Sequence, residues 1–277
     1  MTNLSALPIG SSCSFFRHID REIMETAKNV GIDTLEISFK FDKYMNELEF
    51  PRRAAEIGRM AREVGIGLWS LHLPFSRNID ISTTNKELRA VTLYTNRTLI
   101  RAAAEAGIST IVLHPSSEPI ADENRAERME LSRDAILSLG SLCRELGLTL
   151  AVENLPRTCL CRTSAEMIEL LAGTGAKVCF DTNHSLTESN SDFLRNLLAG
   201  GLEIATLHIS DYDGVDERHR LPGDGINNWG ELFAILAEAN YSGPLMYEVS
   251  RKPKEREELT PEELAENMRR LAAGEIR

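Results

Sequence analysis

The sequence predicts an α/β protein, a single (β/α)8 barrel domain spanning residues 1–277. Three observations predict it. Short apolar runs with strand character alternate with amphipathic helical stretches eight times, the pattern of a parallel sheet covered by helices. With 277 residues, 42% hydrophobic and 26% charged, the chain can bury one large core, and barrels of about 250 residues are ordinarily one domain. Six of the strands run into an acidic residue or a histidine at their C-terminal ends, where a barrel opens.

Taken in order, an apolar segment from Leu4 to Gly10 leads into Ser11, Ser12 and Cys13, and helical spacing follows from Asp20 to Val30 through Ile23, Met24 and Ala27. Gly31 stops that helix. Ile32 to Phe39 alternates as a strand, and after the polar loop KFDKYMNELEF a helix opens at Pro51 and ends at Gly65. Strands at Gly67–Pro74 and Ser109–Pro115 flank a helix from Asn85 to Ala106, and a helix from Glu123 to Leu146 leads to the strand LTLAVENLP. A helix at Ser164–Leu171, the strand KVCFD, a helix at Asp192–Leu198 and the strand EIATLHISD come next. The chain closes with a helix at Trp229–Ala239, the strand PLMYEVS and a helix at Pro261–Ala272. No Gly-x-Gly-x-x-Gly follows any strand, which leaves a dinucleotide-binding sheet little support.

Composition narrows the function. Thirty-one Lys and Arg against 42 Asp and Glu give a net charge of -11, which disfavours a nucleic-acid backbone as partner. The start has no basic and apolar leader pattern, and no run approaches a membrane span, so a cytoplasmic protein without membrane contact is expected. Cys13, Cys143, Cys159, Cys161 and Cys179 are odd in number and scattered, unlike a disulfide framework, and Cys159-Leu-Cys161 is too tight for the usual zinc spacing. Oligomeric state, a homo-oligomer included, is left open.

Chemistry points to the strand ends. They carry His72 in LHLPF, His114 in LHPSS, Glu153 in VENLP, Asp181 and His184 in FDTNH, His208 in LHISD and Glu248 in YEVS, with Glu217 and His219 in ERHRLPGDG between the seventh strand and its helix. Alone, Asp181-Thr-Asn also fits a turn or helix cap, and each His fits a satisfied core group. Five of the six histidines at one barrel face is a different matter; only His18, before a helix, lies outside and reads as surface. Glu153, Asp181, His208 and Glu248, from four consecutive strands, make an oxygen-rich donor set suited to Mn2+, Mg2+, Co2+ or Zn2+.

The ordered set LHLPF, LHPSS, VENLP, FDTNH, LHISD, RHRLPGDG and YEVS resembles the xylose isomerase-like barrel superfamily, over nearly the whole chain. That superfamily holds sugar and sugar-phosphate isomerases and epimerases, metal-dependent dehydratases and the endonuclease IV repair enzymes. In the epimerase branch the resemblance implies one catalytic divalent metal on Glu153, Asp181, His208 and Glu248, with His184 and His219 on the substrate side. In the endonuclease branch it implies a trinuclear zinc site that also uses His72, His114, His184, His219 and an Asp where this chain has Glu217.

The expected activity is therefore a metal-dependent sugar or sugar-phosphate isomerase or epimerase working through an enediolate, with Glu153 and Glu248 moving the proton. His72, His114, His184, His219 and Arg157 are candidate substrate-binding groups, with Arg218 or Arg220 as further anion ligands. Trp69, Phe75, Phe15 and Trp229 are candidates to cover the sugar's carbon faces, though each also fits core packing. The alternatives are a metal-dependent dehydratase of the same superfamily and an endonuclease IV-like multinuclear zinc phosphodiesterase with His72, His114, His184, Glu217 and His219 as extra ligands; the acidic balance and the few basic groups after the first two strands argue against the phosphodiesterase.

Overall fold

The computed structural model describes residues 6–39, 46–253 and 257–276. The start of the first apolar segment and most of the loop KFDKYMNELEF lie outside them.

Among the described residues eight strands alternate with eight α-helices: β1 (Ile9–Ser12), α1 (Arg21–Val30), β2 (Thr34–Ile37), α2 (Phe50–Val64), β3 (Gly67–His72), α3 (Lys86–Ala106), β4 (Thr110–Leu113), α4 (Arg125–Glu145), β5 (Thr149–Glu153), α5 (Ser164–Leu171), β6 (Lys177–Asp181), α6 (Asn190–Ala199), β7 (Ile204–His208), α7 (Trp229–Glu238), β8 (Leu245–Tyr247) and α8 (Pro261–Ala272). The expected repeat holds throughout, with ends shifted by a few residues where helix caps decide. The Asp20 carboxylate accepts the Ile23 amide at 2.9 Å to start α1, and Gly31, at φ 97°, ends it in a left-handed turn that a side chain would strain. At α8 the Thr260 hydroxyl and the Glu263 carboxylate exchange backbone amides in a capping box.

All ladder pairs are parallel, in the order β7-β6-β5-β4-β3-β2-β1-β8. The sheet closes just past the end of β7, where Ile209 bridges Tyr247 and its amide donates to Met246 O at 2.8 Å while the Glu248 amide donates to Ile209 O at 3.0 Å. Closure at the C-terminal end carries Glu248 round to stand beside β7.

Alternation along each strand sorts two apolar regions. Outward residues such as Leu35, Ile37, Ile111, Val178 and Phe180 join the main core with Met24, Phe50, Leu99 and Leu194 from the helices. Helices α2 and α3 touch closely enough that a Cβ on Gly58 would lie 2.3 Å from Ala106 O. A separate small cluster, Val112, Ala151 and Cys179 with Ala205, fills the barrel axis. Ala151 and Cys179 precede Glu153 and Asp181 by one strand period, so the polar mouth rests on a thin, dry floor of small side chains. No helix among the described residues is long and apolar enough to cross a membrane.

Candidate metal centre

Glu153, Asp181 and His208 are the last residues of β5, β6 and β7, and Glu248 follows β8 directly. Polar groups of the next residues tie these ends together. The Asn154 amide donates to Asp181 O at 2.9 Å while its oxygen accepts the Asp181 amide at 2.7 Å. The Thr182 hydroxyl donates to Ser210 O at 2.7 Å, locking β6 to β7. One oxygen of Asp181 accepts the Asn183 amide, which leaves Oδ2 for the axis.

His208 Nδ1 lies 3.4 Å from Glu153 Oε2, 3.8 Å from Asp181 Oδ2 and 3.2 Å from Glu248 Oε2. The donor atoms of these four residues all fall within 4.8 Å of one another. Both oxygens of Glu153, Oδ2 of Asp181 and Nδ1 of His208 are buried and lack a hydrogen-bond partner. Buried polar atoms are ordinarily paired, and three carboxylates around one imidazole nitrogen are the donors a divalent cation satisfies, so the residues fit the metal expected from the sequence.

More histidines crowd Glu153. Nε2 of His72 and of His114 lie 3.2 and 3.3 Å from its Oε2, and Nδ1 of His184 lies 3.3 Å from its Oε1. Burial pushes the Glu153 carboxyl up, but His208, His114 and His184 overcome it and hold the group well below its usual value. Asp181 goes the other way: burial, reinforced by Glu153 and Glu248, raises it well above the usual carboxylate range despite His184. Burial lowers His114 and His219. Burial lowers His184 and His208 too, but Asp181, Glu153 and Glu217 outweigh it in His184, and Cys179 with Glu36, Glu153 and Glu248 in His208, so both rise well above the ordinary imidazole value.

The second expected ligand group is not gathered in this way. Glu217 accepts from His184 Nε2 at 2.8 Å through Oε1 and from Arg157 at 2.9 Å through Oε2, so both its oxygens are engaged. His219 Nδ1 sits 3.0 Å from the Glu248 carbonyl oxygen. Among the described residues the donors converge at only two overlapping places, Glu153-Asp181-His208-Glu248 and His72-Glu153-His208.

Arg157 is drawn into carboxylates as well: it bonds both oxygens of Glu118 and one each of Asp216 and Glu217, from a backbone at φ 53°. Of the four aromatic candidates only Phe75 is at the mouth, its ring stacked 3.7 Å from that of His114. Phe15 and Trp229 are core residues, and Trp69 reaches along the axis to the Thr206 hydroxyl at 3.2 Å. His18 pairs with Asp20 at 3.2 Å, away from the site.

Glu36, which sequence reasoning passed over, lies at the centre. It is fully buried in β2, accepts the Ser70 hydroxyl at 2.8 Å and meets His208 Nε2 at 3.1 Å. A proton on Nε2, held by that carboxylate, makes Nδ1 the nitrogen that faces Glu153, Asp181 and Glu248 and that a metal would take in exchange for its proton.

An uncharacterized protein of Methanocaldococcus jannaschii is 27% identical over 185 residues, 64% of this chain. One of Mycobacterium leprae is 26% identical over 188 residues, 60% of this chain. The matches span 63% and 66% of those two relatives. Among solved structures, a D-tagatose 3-epimerase-like protein superposes with a TM-score of 0.80 at 19% identity, covering 97% of each chain. A D-psicose 3-epimerase does so with a TM-score of 0.78 at 21% identity, covering 97% of this chain and 98% of its own. These likenesses are likenesses of fold. Residues 24–272 match the family described as "Xylose isomerase-like TIM barrel", and this chain belongs to that family.

Proposed function

We propose that the protein is a metal-dependent isomerase or epimerase of a sugar or sugar phosphate. The observation that carries this reading is the set Glu153, Asp181, His208 and Glu248, with orphaned buried donors, of which Glu153 and Glu248 line a cavity of about 350 Å3 together with His114, His184 and His219. These four residues would hold a divalent metal, which when bound would supply Lewis-acid polarisation of a substrate carbonyl and its neighbouring hydroxyl.

The chain's own residues divide the remaining work. Glu248 is 23% exposed on its side chain and faces the cavity, placed to take or return a proton at substrate carbon. Glu153, three strands away on β5, is almost wholly enclosed by histidines and serves the other face. His219, held through Nδ1 by the Glu248 carbonyl oxygen, keeps Nε2 for a substrate hydroxyl, while His184 is fixed between the Asn154 carbonyl and Glu217 and lines the same cavity. Phe75 supplies an apolar wall. The fold neighbours named as a D-tagatose 3-epimerase-like protein and a D-psicose 3-epimerase make a ketose the first substrate to try.

The approach of His72 and His114 to one oxygen of Glu153 favours a second reading, a multinuclear metal site hydrolysing a phosphodiester. Against a third metal stands Glu217, whose oxygens are taken by His184 and Arg157. Metal content per chain by elemental analysis decides. One ion, with deuterium exchange into a ketose, supports the isomerase; two or three ions with nicking of abasic duplex DNA overturn it.

A further inference from the structure

We propose that the substrate carries a phosphate monoester, held in a second cavity on the far side of Glu248; this rests on the isomerase reading above. That cavity, of about 390 Å3, is lined by Arg17, Arg218, Arg220, Arg251 and Lys252. Five cations around one hollow is an unusual concentration in a chain of net charge -11. The cavity shares Phe75, Glu217, His219 and Glu248 with the cavity over the metal ligands. The two are lobes of one cleft, and a molecule whose reacting carbon lies at Glu248 extends its other end among the cations.

Their charge is only partly spent inside the protein. Arg218 pairs with Asp213 at 2.5 Å and Arg251 with Glu258 at 2.7 Å. Arg17, exposed on the turn after β1 at φ 61°, and the exposed Lys252 have no ion-pair partner among the described residues. Arg157, by contrast, faces three carboxylates and offers no net charge. Hydroxyls of Ser14, Ser38 and Ser250 add neutral donors to the same lobe. A dianion with three terminal oxygens matches several cations and hydroxyls at once, where a neutral sugar end would leave them without a counter-charge. A nucleic acid bears the same group, but it is gripped by phosphates repeated along a strand, and these cations line a single hollow.

The test uses the full chain stripped of metal with chelator, so that phosphate cannot bind through an ion. Calorimetric titrations with inorganic phosphate, D-fructose 6-phosphate and D-fructose are compared with the double variant Arg17→Gln/Lys252→Gln. The expected result is that the ester binds at least about tenfold tighter than D-fructose, the gain of a charge-assisted contact or more. Inorganic phosphate competes with it, and the double variant loses the preference while its melting temperature and D-fructose affinity stay unchanged. No phosphate binding, equal affinity for ester and free sugar, or a preference that survives in the double variant overturns the proposal. Phosphate binding that depends on Arg17 and Lys252 with no sugar able to displace it keeps the anion site and counts against the sugar reading instead. Tight abasic duplex binding, competed by phosphate and lost in the double variant, moves the anion to a polymer and overturns the monoester.

Discussion

Glu36 Oε2 and His208 Nε2 meet at 3.1 Å in the closed interior of the barrel, both residues fully buried. The contact fixes which imidazole nitrogen carries the proton and turns the other toward the three carboxylates. Partners of this kind typically hold about 10–100-fold in metal affinity. Glu36→Leu is expected to weaken Mn2+ or Zn2+ binding by that amount, and Glu36→Gln, which keeps an acceptor oxygen, by less. Competition against a chromophoric chelator measures it, with the melting temperature of the metal-free variants as control. Equal affinity in Glu36→Leu and the parent would show that the contact does not position His208.

Metal and fold are expected to be linked, because the cation relieves buried, unpartnered donors on Glu153, Asp181 and His208. Ion at 100 times its dissociation constant adds about 2.7 kcal/mol to unfolding. The melting temperature should rise on adding metal to the stripped protein, and Asp181→Ala or His208→Ala should lose both the metal and the rise. A parent protein that neither holds nor takes up a divalent metal in elemental analysis would remove the basis of the proposed function.

Glu217 gives the acid side of the stability curve. Burial raises its carboxyl, but His184 and Arg157 outweigh burial and bring it from 4.5 down to about 2. A carboxylate lowered on folding contributes stability that is complete above its unfolded value and fades as pH falls through the folded one. The destabilisation caused by Glu217→Gln is therefore expected to be largest above about pH 5 and to shrink toward pH 2. Urea unfolding of both proteins across that range reads it; a difference independent of pH would mean that the His184–Glu217–Arg157 chain is not an ionic one.

How much of this was legible follows from which residues a sequence sets side by side. The candidate ligands stood out because β5, β6 and β7 each end on one, and a barrel gathers strand ends whatever their separation in the chain. Glu36 was not. IDTLEISF alternates as a half-exposed strand, and an alternating Glu is naturally read as facing solvent. The available signal was that a parallel strand is covered on both faces, so a charge in β2 must point at something buried. Arg157 shows the converse limit: its loop position suggested a free cation, and its partners Glu118, Asp216 and Glu217 come from loops that no local pattern connects to it. The basic lobe was legible only in part: Arg218 and Arg220 were candidate anion ligands, but Arg17, Arg251 and Lys252 join them only when β1 and β8 pair to complete the wall.

The proton-transfer roles of Glu153 and Glu248 make the sharpest test. A carboxylate on a divalent cation is a weaker base than a free one, but the same cation stabilises the enediolate oxygens and so acidifies the substrate's carbon-bound proton; the two effects partly offset. A ketose incubated with metal-loaded protein in D2O should gain deuterium at the carbon next to its carbonyl. Glu153→Gln and Glu248→Gln keep shape and an oxygen donor but remove the base, and each should cost roughly 10²-fold or more in turnover. The environments are unequal: Glu248 opens to the cavity, while Glu153 is hemmed in by His72, His114 and His184. If the cavity-facing Glu248 makes the first abstraction, Glu153→Gln should still wash deuterium into the ketose without completing epimerisation, and Glu248→Gln should do neither. Two variants that bind metal normally and turn over an identified substrate near the parent rate would end the assignment of both carboxylates as bases.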